Sequence, residues 1–137
     1  MSLLLCIETS ADPSVAGIVR DERIVAEREI PNRDDFARTV ESMLRDCNIA
    51  PREFAAIAIG CGPGSFTGLR VGYAFAKGFA FGVQIPVWPV SSLQLVAANA
   101  RLVERVTALE RAAGRNSGNS GMPRHWVRAT VTDAVSL

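Results

Sequence analysis

Histidine, lysine and tyrosine occur once each in this 137-residue chain, and cysteine three times. With His125 as the single histidine, a zinc centre built on two histidines is excluded. Cys6, Cys47 and Cys61 cannot all pair with one another, and their spacing fits no zinc pattern. A disulfide scaffold would be denser, so a reducing, cytoplasmic setting is expected. No stretch reaches the roughly 18 apolar residues of a membrane helix. Leu3-Leu4-Leu5 lacks a basic segment before it and Glu8 follows at once, so no signal peptide and no membrane partner are expected. Charge of one sign is lacking too. The 15 Lys+Arg against 14 Asp+Glu leave +1, which argues against binding nucleic acid by bulk charge. Lys77 is the single lysine, so nearly all the positive charge is guanidinium.

What is present is globular. Hydrophobic residues make up 48% and charged residues 21%, which excludes wholesale disorder. The length suits one domain, or one domain and a tail. Leu3 to Ile7 is a continuous apolar run of buried-strand length. Val15–Val19 and Ile24–Ile30, joined by the polar Arg20-Asp21-Glu22-Arg23, extend it into an antiparallel meander that Pro31-Asn32 ends. Phe36, Val40, Met43, Leu44 and Cys47 recur at spacings of three and four, the stripe of an amphipathic helix whose start Asp34 or Asp35 can cap. Phe54–Ile59 reads as a strand closed by Gly60, and Phe66–Gly82 as a glycine-spaced helix. Gly68, Gly72, Gly78 and Gly82 would each cost about 1 kcal/mol against alanine in a helix interior, so close packing against that helix is expected. A short strand within Val83–Val90 carries Pro86 and Pro89. Ser91 or Ser92 then caps a third helix with Leu93, Val96, Ala97, Ala100, Val103, Val106 and Leu109 on one face.

These elements divide the chain into a lobe over residues 1–113, a flexible polar linker over 114–121 and a tail over 122–137. The order strand, strand, strand, helix, strand, helix, strand, helix predicts an α/β lobe. It has a mixed sheet, an antiparallel meander on one edge and parallel strands reached by crossovers on the other. That is the topology of one lobe of the actin-like ATPase, or ribonuclease H-like, fold.

The segment richest in signal is Gly62-Pro63-Gly64-Ser65-Phe66-Thr67-Gly68-Leu69-Arg70-Val71-Gly72, set between a strand and a helix. One account is a tight turn with Ser65 or Thr67 capping the helix. The other is an anion site at a helix N-terminus, although neither common phosphate-loop spacing is met. This run, followed by Ala76-Lys77-Gly78, closely resembles the TsaB (YeaZ) family. Leu5-Cys6-Ile7-Glu8-Thr9-Ser10, Ile85-Pro86 and Val90-Ser91-Ser92-Leu93 resemble the same family over roughly residues 3–100.

The resemblance implies a glycoprotease-like (peptidase M22) homologue that is not a protease. It would be an accessory subunit in tRNA threonylcarbamoyladenosine modification, working with a TsaD-type catalytic subunit and a TsaE-type ATPase and touching tRNA only indirectly. It implies a homodimer when the protein is alone, and no cofactor. It further implies a helical-bundle interface, here Phe36, Val40, Met43 and Leu44 on the first helix and Phe66, Leu69, Arg70, Tyr73 and Lys77 on the second. Glu8, Thr9 and Ser10 stand where an actin-like ATPase keeps its nucleotide-side residues, and Glu8 replaces the more usual aspartate. An independent small nucleotide-binding or hydrolytic lobe, or a truncated product without activity, are the competing expectations. A Cys61–His125 pair has no supporting motif.

Overall fold

The computed structural model describes residues 3–21 and 23–92. Its centre is strand β1 (Leu3–Glu8), buried at every position. A continuous apolar run suits a strand covered on both faces. Strands β2 (Ser14–Arg20) and β3 (Arg23–Ile30) continue the meander. β1 pairs antiparallel with β2, Cys6 opposite Gly17, and β2 pairs antiparallel with β3 across a bulge at Ile18/Val19. Strand β4 (Ala56–Gly60) adds parallel to the other side of β1, and β5 (Val87–Val90) adds parallel to β4. The sheet order is β3-β2-β1-β4-β5.

Helix α1 (Phe36–Asp46) follows β3, and helix α2 (Phe66–Val83) joins β4 to β5. Both pack on one face of the sheet. There Leu3, Leu5, Ile7, Ala16, Ile18, Ile57 and Ile59 meet Phe36, Val40, Met43 and Leu44 of α1 and Ala76 and Ala80 of α2. Each fully buried large side chain of this kind contributes roughly 1.5–3 kcal/mol. Phe36 of α1 meets Phe75 of α2 edge-on at 5.2 Å, and Phe54, just before β4, meets Phe79 of α2 at 5.9 Å. On the opposite face Leu4, Cys6, Val19, Ala56 and Ala58 form a smaller buried cluster.

Several expectations shift. The α1 cap is supplied earlier than Asp34 or Asp35: Asn32 Oδ1 accepts the Asp34 N–H at 3.1 Å and opens a short 3-10 turn, Arg33–Asp35, that runs into α1. Asp35, immediately before α1, makes no capping hydrogen bond with its side chain. Phe54 and Ala55 precede β4; the Phe54 N–H still donates to the Pro51 carbonyl of a second 3-10 turn, Pro51–Glu53. Val83 ends α2 and does not begin a strand. The helix stops when Gln84 takes a left-handed conformation and donates its N–H to the Ala80 carbonyl. The described residues hold two α-helices. The third, expected from Ser91 or Ser92 onward, lies outside them beyond Ser92, as do the 114–121 linker, the 122–137 tail and His125.

Candidate functional site

Two neighbouring regions hold the residues singled out above. The first lies at the carboxyl ends of β1, β4 and β5, where the loops after the parallel strands converge. Gly62 needs glycine, since its φ of +94° is left-handed space that side chains avoid. Gly64 packs against Ser10, whose carbonyl accepts the Ser65 N–H at 2.7 Å. Ser65 is the cap of α2: its Oγ accepts the Gly68 N–H at 3.1 Å, while Thr67 stands exposed on the first turn. The exposed Pro63 completes the loop.

Arg33, which the sequence pattern did not mark, ties this corner together. Its guanidinium donates to Ser65 Oγ at 3.1 Å and pairs with Asp12 at 3.2 Å. Glu8, Thr9 and Ser10 are all buried. Glu8 accepts hydrogen bonds from the Ser10 N–H and the Ser92 hydroxyl. The Thr9 hydroxyl has no hydrogen-bond partner and lies against Gly72. A Cβ on Gly68 would collide with the Thr9 carbonyl, and one on Gly72 with the Thr9 hydroxyl. The close approach these two glycines permit is therefore between α2 and the end of β1, within the lobe itself. Among the described residues no cluster of three or more His, Cys, Asp or Glu could hold a metal ion. At this edge both Glu8 oxygens accept hydrogen bonds from the chain's own groups and Asp12 is paired with Arg33, so neither carboxylate stands unpartnered.

The second region is the outward face of α2. Phe66 (74% exposed) and Phe81 (79% exposed) stand at its two ends. Arg70, Ala74, Lys77 and Gly78 lie exposed between them. The Arg70 guanidinium sits over the Phe66 ring at 5.4 Å from its centroid. A Cβ at Gly78 or Gly82 would meet nothing within 4 Å. Below Phe81, an open groove of about 790 Å³ is lined by Lys77, Gly78, Ala80, Gln84, Ile85 and Val87 as well. Leu69 and Tyr73 are half-buried on the flank. Burial, and next the Cys61 thiol beside it, push the Tyr73 phenol above its usual range.

The expected interface thus divides. Phe36, Val40, Met43 and Leu44 are each buried in the lobe's own core and offer no surface to a partner. Phe66, Arg70 and Lys77 are brought together on one exposed face. Phe81 belongs with them, outside the set that the family resemblance implied. Its position fifteen after Phe66, close to a whole number of helical turns, was the available signal.

The sheet order and helix placement define a ribonuclease H-like lobe of the actin-like ATPase type. A RuvC structure from Thermus thermophilus in complex with a Holliday junction substrate shares that fold, with a TM-score of 0.58 at 14% identity over 95% of this chain and 88% of that one. The structure of YeaZ from Pseudomonas aeruginosa superposes with a TM-score of 0.66 at 33% identity, covering 73% of this chain and 48% of that one. The TsaB protein of Bacillus subtilis, named a tRNA threonylcarbamoyladenosine biosynthesis protein, is 35% identical over 102 residues, which are 72% of this chain and 44% of the relative. The family model described as TsaD, tRNA N6-adenosine threonylcarbamoyltransferase, matches residues 32–118. The chain belongs to this family, and within it corresponds to the amino-terminal lobe of the TsaB/YeaZ proteins. It spans less than half the length of the relatives it matches. No helix among the described residues is long and apolar enough to cross a membrane.

Proposed function

We propose that this chain is a non-catalytic docking lobe in tRNA threonylcarbamoyladenosine biosynthesis, which presents the outward face of α2 to a TsaD-type subunit. The observation that carries this proposal is the pair of exposed phenylalanines, Phe66 and Phe81, bracketing Arg70, Ala74, Lys77 and the open Gly78 on one helix face. Aromatic and arginine side chains are the usual anchors of protein interfaces. Small residues between them let a second helix approach closely, which a continuous row of large side chains would prevent. The family assignment supplies the process. A second copy of the chain would compete for the same face, so self-association and docking on the TsaD-type subunit are alternatives. The TsaE-type ATPase and tRNA would be reached through that complex.

The test is light scattering on a sizing column, with the chain alone and then mixed with the TsaD-type protein of its own source. A stoichiometric complex is expected, and Gly78→Leu should abolish it while leaving the lobe folded, since the new side chain enters open space. If Gly78→Leu and Phe66→Ala both bind as the unmodified chain does, this face is not the docking surface.

A further inference from the structure

In α/β sheets, ligands settle outside the carboxyl ends of the parallel strands. At that edge, this chain holds a carboxylate of its own. Glu8 ends β1 on the sheet face opposite the helices, continuing the alternation of Leu4 and Cys6, and is only 6% exposed. Its Oε1 accepts the Ser10 N–H at 2.7 Å, and its Oε2 accepts the Ser92 hydroxyl at 3.0 Å. Ser92 Oγ in turn accepts the Gly62 N–H at 3.0 Å, and the Ser92 N–H donates to the Gly62 carbonyl at 3.0 Å. The carboxylate fills the space that the missing side chain of Gly60 leaves, and any Cβ there would collide with it. Glu8 forms no ion pair among the described residues. What holds its charge is a set of hydrogen-bond donors from separate segments, the kind of surround that binds an external anion.

We propose that Glu8 is a built-in anion ligand. Its carboxylate occupies the anion position at the strand ends, closes that position to phosphate, and fastens the turn after β1, the glycine-proline loop and Ser92 to one another. Gly60 is glycine because the ligand stands in its side-chain space. Removing the carboxylate leaves the donors of Ser10 and Ser92 without an acceptor in a buried hollow, and a small free carboxylate has the charge and shape to refill it. This proposal is independent of α2 docking, since it concerns the opposite face of the sheet and is read without any partner.

The experiment is thermal melting of the full chain and of Glu8→Ala, each with sodium formate and with sodium chloride at matched ionic strength. Glu8→Ala is expected to melt several degrees lower and to regain part of the loss in formate only, while the unmodified chain responds alike to both salts. A variant that melts as the parent does, or one that formate raises no more than chloride, overturns the proposal. So does a saturable shift of the Ser10 and Gly62 amide resonances of the unmodified chain on titration with inorganic phosphate or magnesium ATP. Should Glu8→Ala not fold, Glu8→Met serves, because it fills the same space yet offers neither the Ser10 N–H nor the Ser92 hydroxyl a carboxylate oxygen. Amide exchange at Ser10 or Gly62 is then expected to quicken about tenfold relative to the core of α1. Unchanged exchange at both overturns the proposal.

Discussion

Helices α1 and α2 lie side by side on one face of the same sheet and use their side chains in opposite ways. α1 turns its large apolar residues, Phe36, Val40, Met43 and Leu44, inward, and exposes Arg38, Glu41 and Arg45, with Glu41 and Arg45 paired one turn apart. α2 buries four small residues, Gly68, Gly72, Ala76 and Ala80, and keeps Phe66 and Phe81 outside. The reason is distance. Thr9 stands so close to α2 that no side chain fits at Gly68 or Gly72, whereas α1 lies over β3 with room for a phenylalanine and a methionine. An apolar residue on a helix is therefore no guide to which way it faces until the spacing to the sheet is known.

The most damaging way to break this contrast is Gly72→Leu, which forces a branched side chain into the Thr9 hydroxyl. It should leave no cooperative folding transition by circular dichroism, and a folded variant would show that α2 can stand off from β1. Met43→Ala, at 0% exposure on α1, should cost about 2–5 kcal/mol in a urea titration. A loss below about 1 kcal/mol would mean that the α1 stripe is not core.

On the sheet face away from both helices, burial pushes the Cys6 thiol up to about 12. The folded chain keeps that proton while the unfolded chain gives it up near the ordinary value of 9.0, so stability falls as pH rises between these limits. Cys6→Ala should flatten that alkaline decline, and in the native chain Cys61 should react with a thiol reagent while Cys6 does not. Ser65→Ala, which removes the α2 cap and a partner of Arg33, should cost roughly 0.5–2 kcal/mol in the same urea titration. The smallest effect is Phe81→Ala, expected to change stability by about 0.5 kcal/mol or less, as for other exposed side chains. A loss of several kcal/mol would mean that Phe81 is packed in the isolated lobe.

Much of the first region was legible in the chain. The glycine-proline loop, the Ser65 cap and the apolar run into Glu8 are local patterns, and backbone chemistry alone restricts what such patterns form. Asn32 and Arg33 escaped because a 3-10 turn before a helix carries no periodicity. Part of the interface was misplaced because spacings of three and four mark one face of a helix without saying whether core or solvent lies beside it. Gly78 and Gly82 looked equivalent to Gly68 and Gly72 in the chain, yet a Cβ would strike Thr9 at the second pair and meet nothing within 4 Å at the first.

Over residues 3–90 the amino-acid order alone settled the succession of strands and helices, the mixed character of the sheet and the kinship carried by residues 62–72, because periodicity, turn residues and motif spacing are local properties. Tertiary structure alone decided that α1 is spent on the core, that α2 offers Phe66 and Phe81 to the outside, and that Glu8 meets Ser92 across 84 positions of chain. Those outcomes depend on how closely elements distant in the chain approach one another, and that distance follows from the packing of all of them at once.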